Sequence, residues 1–290
     1  MREGESMSVP GIVGVLGGGR MGAGIAHAFL MAGARVRLVE RDEESAEAAR
    51  TRVLASIENS VRRGDLLEAQ HVIESFAVHT DPATFMNAGL VIEAVPEDRT
   101  LKAGALAQIE QLVAQDAVLA TNTSSISIDE LAASLTRPER FLGLHFFNPV
   151  PASQLVEIVV GERTDRAVVD AAREWVATLR KTPVVVRDSP GFASSRLGVL
   201  LGLEAIRMLE EGVSDAADID AAMELGYRHP MGPLRTTDVV GLDVRLGIAE
   251  ELARELGPRF EPPRLLRQMV DAGKLGRKSG EGFYVWNEER

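Results

Sequence analysis

A largely parallel α/β sheet followed by an all-helical domain is what the sequence predicts, on three observations. Short branched apolar runs alternate with helical stretches through the first two thirds of the chain. The first of these runs leads through a cluster of glycines straight into a helical pattern. Beyond Asp188-Ser189-Pro190-Gly191 the strand pattern vanishes and only helical periodicity continues. The expected organisation is therefore a flexible leader over residues 1–10, a sheet domain over 11–189 and a helical domain over 190–290.

The elements follow in order. Ile12 to Leu16 reads as a short buried strand, and Met21 to Met31 as a helix that stops at Gly33. Val36 to Val39 is a second strand, which completes a βαβ unit. Glu43 to Arg63 is a long polar helix with Ala46, Ala49, Val53, Ile57 and Val61 at helical spacing. Further strands are expected at Phe76–Val78, Leu90–Val95, Val118–Ala120, Leu142–Phe147, Val156–Val160 and Val184–Val186. Helices are expected at Lys102–Val113, Ser127–Leu135 and Asp165–Leu179, the second opened by a capping box of Ser127 and Glu130. The helical domain reads as Phe192–Glu211, Ala216–Leu225, Thr236–Leu256 and Pro263–Ala272.

Composition narrows the function classes. The chain has 290 residues, with 32 Lys+Arg against 43 Asp+Glu and a net charge of −11, which disfavours nucleic acid and anionic lipid as partners. There is no cysteine, so disulfides, thiolate zinc sites and a cysteine nucleophile are excluded, and no metal site is expected. No apolar run is long enough for a membrane helix. The polar start MREGESMSVP lacks a signal-peptide core, Met7 is a candidate internal start, and the cytoplasm is the expected compartment.

Gly17-Gly18-Gly19-Arg20-Met21-Gly22 fits G-x-G-x-x-G between a strand and a helix, the context that makes a Rossmann-like dinucleotide site. Gly17 permits the tight turn, Gly19 lets backbone approach a pyrophosphate, and Gly22 lets the helix pack close to the strand. The amides opening the helix, from Arg20 and Met21 onward, face the phosphates. Glu40 ends the second strand, where a carboxylate can accept both ribose hydroxyls and repel a 2′-phosphate, which favours NAD. Arg41 beside it is an alternative partner for such a phosphate, and a solvated strand-end carboxylate is the plainer reading of Glu40.

His145 stands near the end of a strand, in Leu144-His145-Phe146-Phe147-Asn148-Pro149, on the sheet edge where ligands bind in open α/β folds. Imidazole can take or give a proton near neutral pH. Glu157 interrupts the apolar strand Leu155-Val156-Glu157-Ile158-Val159-Val160. Buried, it needs a cation or strong donor, which a histidine on a neighbouring strand can supply. On an edge strand it would simply face solvent.

The chain resembles the 3-hydroxyacyl-CoA dehydrogenases of the bacterial 3-hydroxybutyryl-CoA type from about Ile12 to Trp286. The resemblance is carried by GVLGGGRMGAGIAHAFLMAG, VIEAVPED, TNTSSISI, RFLGLHFFNPVP, LVEIV, SPGF, YRHPMGP, DVVGLD and GRKSGEGFY. It implies NAD as cofactor, an acyl-CoA thioester as substrate and a homodimer formed through the helical domain. It implies that His145 is the acid/base and Glu157 its partner, that Ser124 bonds the substrate oxygen, and that Asn148 places the nicotinamide or the reacting carbonyl. Glu97, Lys102, Asn122 and Lys278 fall at family positions near the cofactor, and Ser56 and Arg63 at positions that contact CoA. Apart from the resemblance, Ser124 and Asn148 suit turns and the two lysines suit surface charges. One departure stands out: Ser195 lies where the family commonly has an asparagine reaching the catalytic site. A relative acting on an unusual acyl group, or on one carried by a protein, fits that departure. A dehydrogenase of free hydroxy acids and a non-catalytic cofactor-binding relative are the rival readings.

Overall fold

The computed structural model describes residues 9–286, so all but the last two positions of the expected leader lie outside the described residues. The chain divides into two compact units, one ending at Asp188 and the next beginning at Ser189.

In the first unit the elements run β1 (Ile12–Leu16), α1 (Arg20–Met31), β2 (Arg35–Val39), α2 (Glu43–Arg63), α3 (Gln70–Glu74), β3 (Phe76–His79), β4 (Leu90–Glu93), α4 (Arg99–Leu112), β5 (Val118–Thr121), α5 (Ile128–Ala132), β6 (Phe141–Phe146), β7 (Leu155–Val160), α6 (Arg166–Thr178) and β8 (Thr182–Arg187). The eight strands form one sheet in the order β3-β2-β1-β4-β5-β6-β7-β8. All neighbouring pairs are parallel except β6 with β7. The carboxyl ends of β1 to β6 therefore share one edge, and the order reverses between β1 and β4, where α/β folds open a ligand crevice.

The strands are apolar on both faces because helices cover both. Val13, Val15, Val36, Leu38, Phe29 and Ile57 are fully buried, and each such side chain contributes roughly 1.5–3 kcal/mol by leaving water. Helix α2 is framed by local chemistry. Asp42 accepts from the Ser45 amide at 2.7 Å, Gly64 closes the helix at φ +78°, and acids open and arginines end it, as the helix dipole favours.

The second unit contains α7 (Ser194–Glu210), α8 (Ala216–Tyr227), α9 (Pro233–Val240), α10 (Leu242–Leu256) and α11 (Arg264–Asp271) around a core of Val199, Leu203, Ile206, Leu234, Leu242 and Phe260. The single helix expected over Thr236–Leu256 is two helices. Gly241, at φ +106°, breaks it in a conformation that side chains rarely adopt. The chain ends in bridges joining Gly276 to Glu281 and Glu281 to Val285, which helical periodicity did not foretell. Asp238 explains them: it accepts from the Phe283 and Tyr284 amides, both at 2.9 Å, and from the Trp286 indole at 2.8 Å. The DVVGLD and GEGFY segments are thus two halves of one structural joint.

In the first unit, the helix expected from Ser127 to Leu135 is limited to α5. Ser127 does accept from the Glu130 amide at 3.2 Å, but the Glu130 carboxylate turns to Arg99 at 2.8 Å. The short helix α3 was not expected.

Candidate active site

The glycine loop lies at the reversal point of the sheet. Gly17 takes φ +91°, donates to the Val39 carbonyl at 2.8 Å, and would set a Cβ 2.8 Å from the Ala94 oxygen. A Cβ on Gly22 would stand 1.8 Å from the Gly17 oxygen. These two glycines are required by the turn itself. Gly19 differs, because a Cβ there meets nothing within 4 Å. Its bareness leaves open space at the mouth of α1, whose first rung is the Ala23 amide on Gly19. The amides of Arg20, Met21 and Gly22 precede that ladder and are the donors a phosphate takes. Glu40 is half-buried beside them and accepts from the Gly18 amide at 2.6 Å and the Arg41 amide at 3.2 Å. A carboxylate has further acceptor capacity. The Arg41 guanidinium is 84% exposed and pairs with Asp42 at 3.0 Å. The loop, the bare Gly19 and the acid at the lip fit the pyrophosphate and adenosine ribose of NAD.

The next two loops on this edge are bound together. Glu97, after β4, accepts through one oxygen from Thr123 Oγ1 at 2.6 Å and from the Ser124 and Ser125 amides at 2.9 and 3.2 Å. The Ser124 hydroxyl reaches the same oxygen at 3.3 Å, longer than an ordinary O–H···O bond. Burial pushes the Glu97 carboxyl up, but the Lys102 charge and the Thr123 and Ser124 bonds outweigh this and hold it below the usual range. Lys102 is 1% exposed, not a surface charge. Its ammonium meets Glu93 at 2.8 Å, the Val95 carbonyl at 3.2 Å and the other Glu97 oxygen at 3.2 Å. Glu93 is fully buried and also accepts from Val95 N at 2.7 Å and Thr121 Oγ1 at 2.6 Å. Sequence reasoning missed Glu93, although an acid inside an apolar strand, here the expected Leu90–Val95, is the signal that singled out Glu157. Asn122 Oδ1 accepts from the Phe146 amide at 2.9 Å, which ties the Ser124 loop to the strand bearing His145.

His145 and Glu157 are direct cross-strand partners in the antiparallel β6–β7 pair. Residues in that relation project to the same face. His145 Nδ1 lies 2.8 Å from Glu157 Oε2, with the two residues 6% and 1% exposed. β7 is flanked by β6 and β8, so Glu157 is on an interior strand and not on a solvated edge. Phe147 packs against the imidazole with ring centroids 4.4 Å apart. Asn148 follows at the same end, joined to Pro149 by a cis peptide bond.

The remaining expected residues lie elsewhere. Ser56 is exposed on α2 and donates to its own helix at the Arg52 carbonyl. Arg63 pairs with Asp65 at 2.9 Å and lines a cavity of about 350 Å³ with His27, Ser60 and Lys181. In the second unit Lys278 pairs with Asp243 at 2.6 Å. Burial raises the Asp243 carboxyl, but Lys278 and backbone donors more than offset it. Ser195 is half-buried in the first turn of α7.

The profile of the 3-hydroxyacyl-CoA dehydrogenase NAD binding domain matches residues 12–189, and that of the same family's C-terminal domain matches residues 191–286. The chain belongs to the 3-hydroxyacyl-CoA dehydrogenase family. A 3-hydroxybutyryl-CoA dehydrogenase of Mycobacterium tuberculosis is 43% identical over 279 residues, covering 94% of this chain and 98% of its own. The mitochondrial hydroxyacyl-coenzyme A dehydrogenase of Sus scrofa is 36% identical over 286 residues, covering 94% and 90%. Among solved structures, the (S)-3-hydroxybutyryl-CoA dehydrogenase of Ralstonia eutropha superposes with a TM-score of 0.92 at 37% identity, covering 96% of this chain and 100% of that one. The family domain binds NAD, and the glycine loop and Glu40 fit that cofactor. Among the described residues no helix is long and apolar enough to cross a membrane, and no His/Cys/Asp/Glu cluster could hold a metal ion.

Proposed function

We propose that the protein interconverts (3S)-3-hydroxyacyl-CoA and 3-oxoacyl-CoA, with His145 as acid/base and Glu157 as its partner. The observation that carries this reading is the 2.8 Å contact between the two on the edge bearing the glycine loop. Bound NAD, held by the glycine loop and Glu40, would supply the hydride acceptor for C3 in oxidation and, in reduced form, the hydride donor in reduction. In oxidation His145 takes the 3-hydroxyl proton through Nε2, and in reduction it gives that proton back. Glu157 holds the ring by Nδ1 and stabilises its charged form, the orienting role of a triad carboxylate. Ser124, whose hydroxyl is only loosely held by Glu97, turns to the substrate oxygen, and Asn148 helps place the reacting carbonyl.

Gly17, Gly19, Arg20, Met21, Gly22 and Glu40 form the dinucleotide cradle, with Glu97 and Asn122 shaping its neighbouring wall. Ser56 and Arg63 share one stripe of α2, seven residues apart, and Arg63 borders a cavity, which suits contact with the CoA moiety. Lys278 is assigned to the cofactor and Ser195 to the substrate by family position. A serine there still donates one hydrogen bond, which favours an acyl group differing from the family's commonest. The domain division is taken at 189/190. A cytoplasmic location accords with a chain lacking cysteine.

Exposed Leu197, Leu200, Val239, Val240 and Val244 on α7, α9 and α10 support a homodimer through the helical unit, and a monomer in sedimentation at micromolar concentration contradicts it. The deciding assay follows loss of NADH with acetoacetyl-CoA and with free acetoacetate. Turnover of the thioester is expected. Turnover of the free acid alone makes the protein a hydroxy-acid dehydrogenase, and turnover of neither leaves a cofactor-binding relative.

A further inference from the structure

Residues 147–154 join β6 to β7, the strands that carry His145 and Glu157, on the edge where β6 ends. Asn148 and Pro149 are exposed in this connection, whereas Val150 is 2% exposed. The place of Asn148 therefore follows from how the backbone beside it is held. On one side Val150 packs on α1 at Gly24, where an added Cβ would stand 2.8 Å from the Val150 Cβ. On the other side the Lys181 ammonium donates to the Val150 carbonyl at 2.6 Å and to the Ser153 carbonyl. Between these two carbonyls the turn closes on Pro149, whose oxygen accepts from the Ala152 and Ser153 amides at 3.1 and 3.0 Å. Lys181 is itself fixed. Its amide donates to the Val176 carbonyl of α6 at 3.1 Å, and Thr182, which opens β8, donates to the Gln154 carbonyl at 2.6 Å. Both partners of the ammonium are neutral carbonyls, and burial pushes it below the usual lysine range. A lysine extended into water avoids that cost.

We propose that Lys181 is a positioning residue: with the Val150–Gly24 contact it clamps the β6–β7 connection and so sets where the Asn148 side chain stands. The proposal rests on the function read above only in that Asn148 helps place the reacting carbonyl. Lys181 acts through backbone carbonyls, two and five residues beyond Asn148, and through no side chain of the site. It also lines the cavity that Arg63 borders, so a direct contact with an anionic part of the substrate is the rival role. The two roles differ in kinetics. A clamp on Asn148 acts on turnover, whereas a contact remote from the reacting carbon acts on substrate binding.

The test is Lys181→Met in the full chain, which keeps the aliphatic stem and removes the donors. Misplacing a positioned group by about 1 Å can cost about 100-fold. We expect kcat with acetoacetyl-CoA at saturating NADH to fall by about tenfold, with the thioester KM and the NADH dissociation constant within about threefold of the wild type. Amide exchange over residues 150–154 should rise. In an Asn148→Ala background the same change should cost less than about twofold in kcat, because Lys181 acts through Asn148. A KM raised by about tenfold with kcat retained would make Lys181 a substrate contact and overturn the proposal. Unchanged kcat, or equal losses in the two backgrounds, would overturn it as well. If Lys181→Met does not fold, Val150→Ala loosens the same connection from its α1 side and should lower kcat by about threefold or more with NADH binding intact; no change there overturns the proposal. Full turnover in Asn148→Ala alone defeats the reading of Asn148 on which the proposal rests. A loss in Asn148→Ala with none in Lys181→Met defeats the clamp itself.

Discussion

Two histidines of the sheet unit are almost equally buried and have opposite fates. His145, at the carboxyl end of β6, faces the Glu157 carboxylate at 2.8 Å. His27, in the second half of α1, faces the Ser60 hydroxyl at 2.9 Å and is lowered to about 4, by burial first and the Arg63 charge next. Its Nδ1 has no hydrogen-bond partner. Burial and the Arg63 charge hold the His27 ring neutral, while on the proposed function His145, with the Glu157 carboxylate beside it, is the proton carrier. With burial alike in the two, the difference that the proposed function uses is the partner, a carboxylate for His145 and a hydroxyl for His27.

Glu157→Gln breaks the comparison most sharply, because it gives His145 a neutral neighbour of nearly the same shape. We expect kcat to fall by about 10- to 100-fold with NADH binding unchanged, a share of what general acid–base assistance supplies. Steady-state rates at saturating NADH check this, and an unaltered kcat would reduce Glu157 to a packing role.

The smaller effect concerns His27 and is read in stability. Its folded-state value near 4 lies below the ordinary 6.5. Between those pH values the unfolded chain binds a proton that the folded chain refuses. Stability present above about pH 6.5 is therefore lost as the pH falls toward 4, by at most about 3 kcal/mol. His27→Gln should flatten this part of the stability–pH curve in denaturant unfolding. An unchanged acid slope would show that His27 is not the group responsible.

What the sequence disclosed follows the range of each interaction. The glycine loop was legible because its turn and helix start are local: Gly17 is demanded by its own φ of +91° and Gly22 by the Gly17 oxygen five residues back. Helix α2 was read to its last residue because Asp42 and Gly64 mark its ends. The pairing of His145 with Glu157 was half legible: an acid in an apolar strand signalled a partner, but only the antiparallel β6–β7 register decides which one. Glu93 gave the same signal and was passed over, because its partner is a lysine, the residue least expected to be buried. Lys102 becomes intelligible only when β4, α4 and β5 are assembled. The break at Gly241 was hidden by unbroken apolar periodicity on both sides. His27 carried no sequence mark at all, since a histidine inside an apolar helix looks the same whether serine or glutamate faces it.

On the proposed function His145 exchanges the proton while the dinucleotide site stands apart from it. The direct measurement is kcat for acetoacetyl-CoA in His145→Gln at saturating NADH, with the NADH dissociation constant determined on the same sample. A fall in kcat of about 10²- to 10⁴-fold with NADH binding unchanged is the predicted result. Turnover within about twofold of the wild type would contradict it and move the acid/base role to another residue.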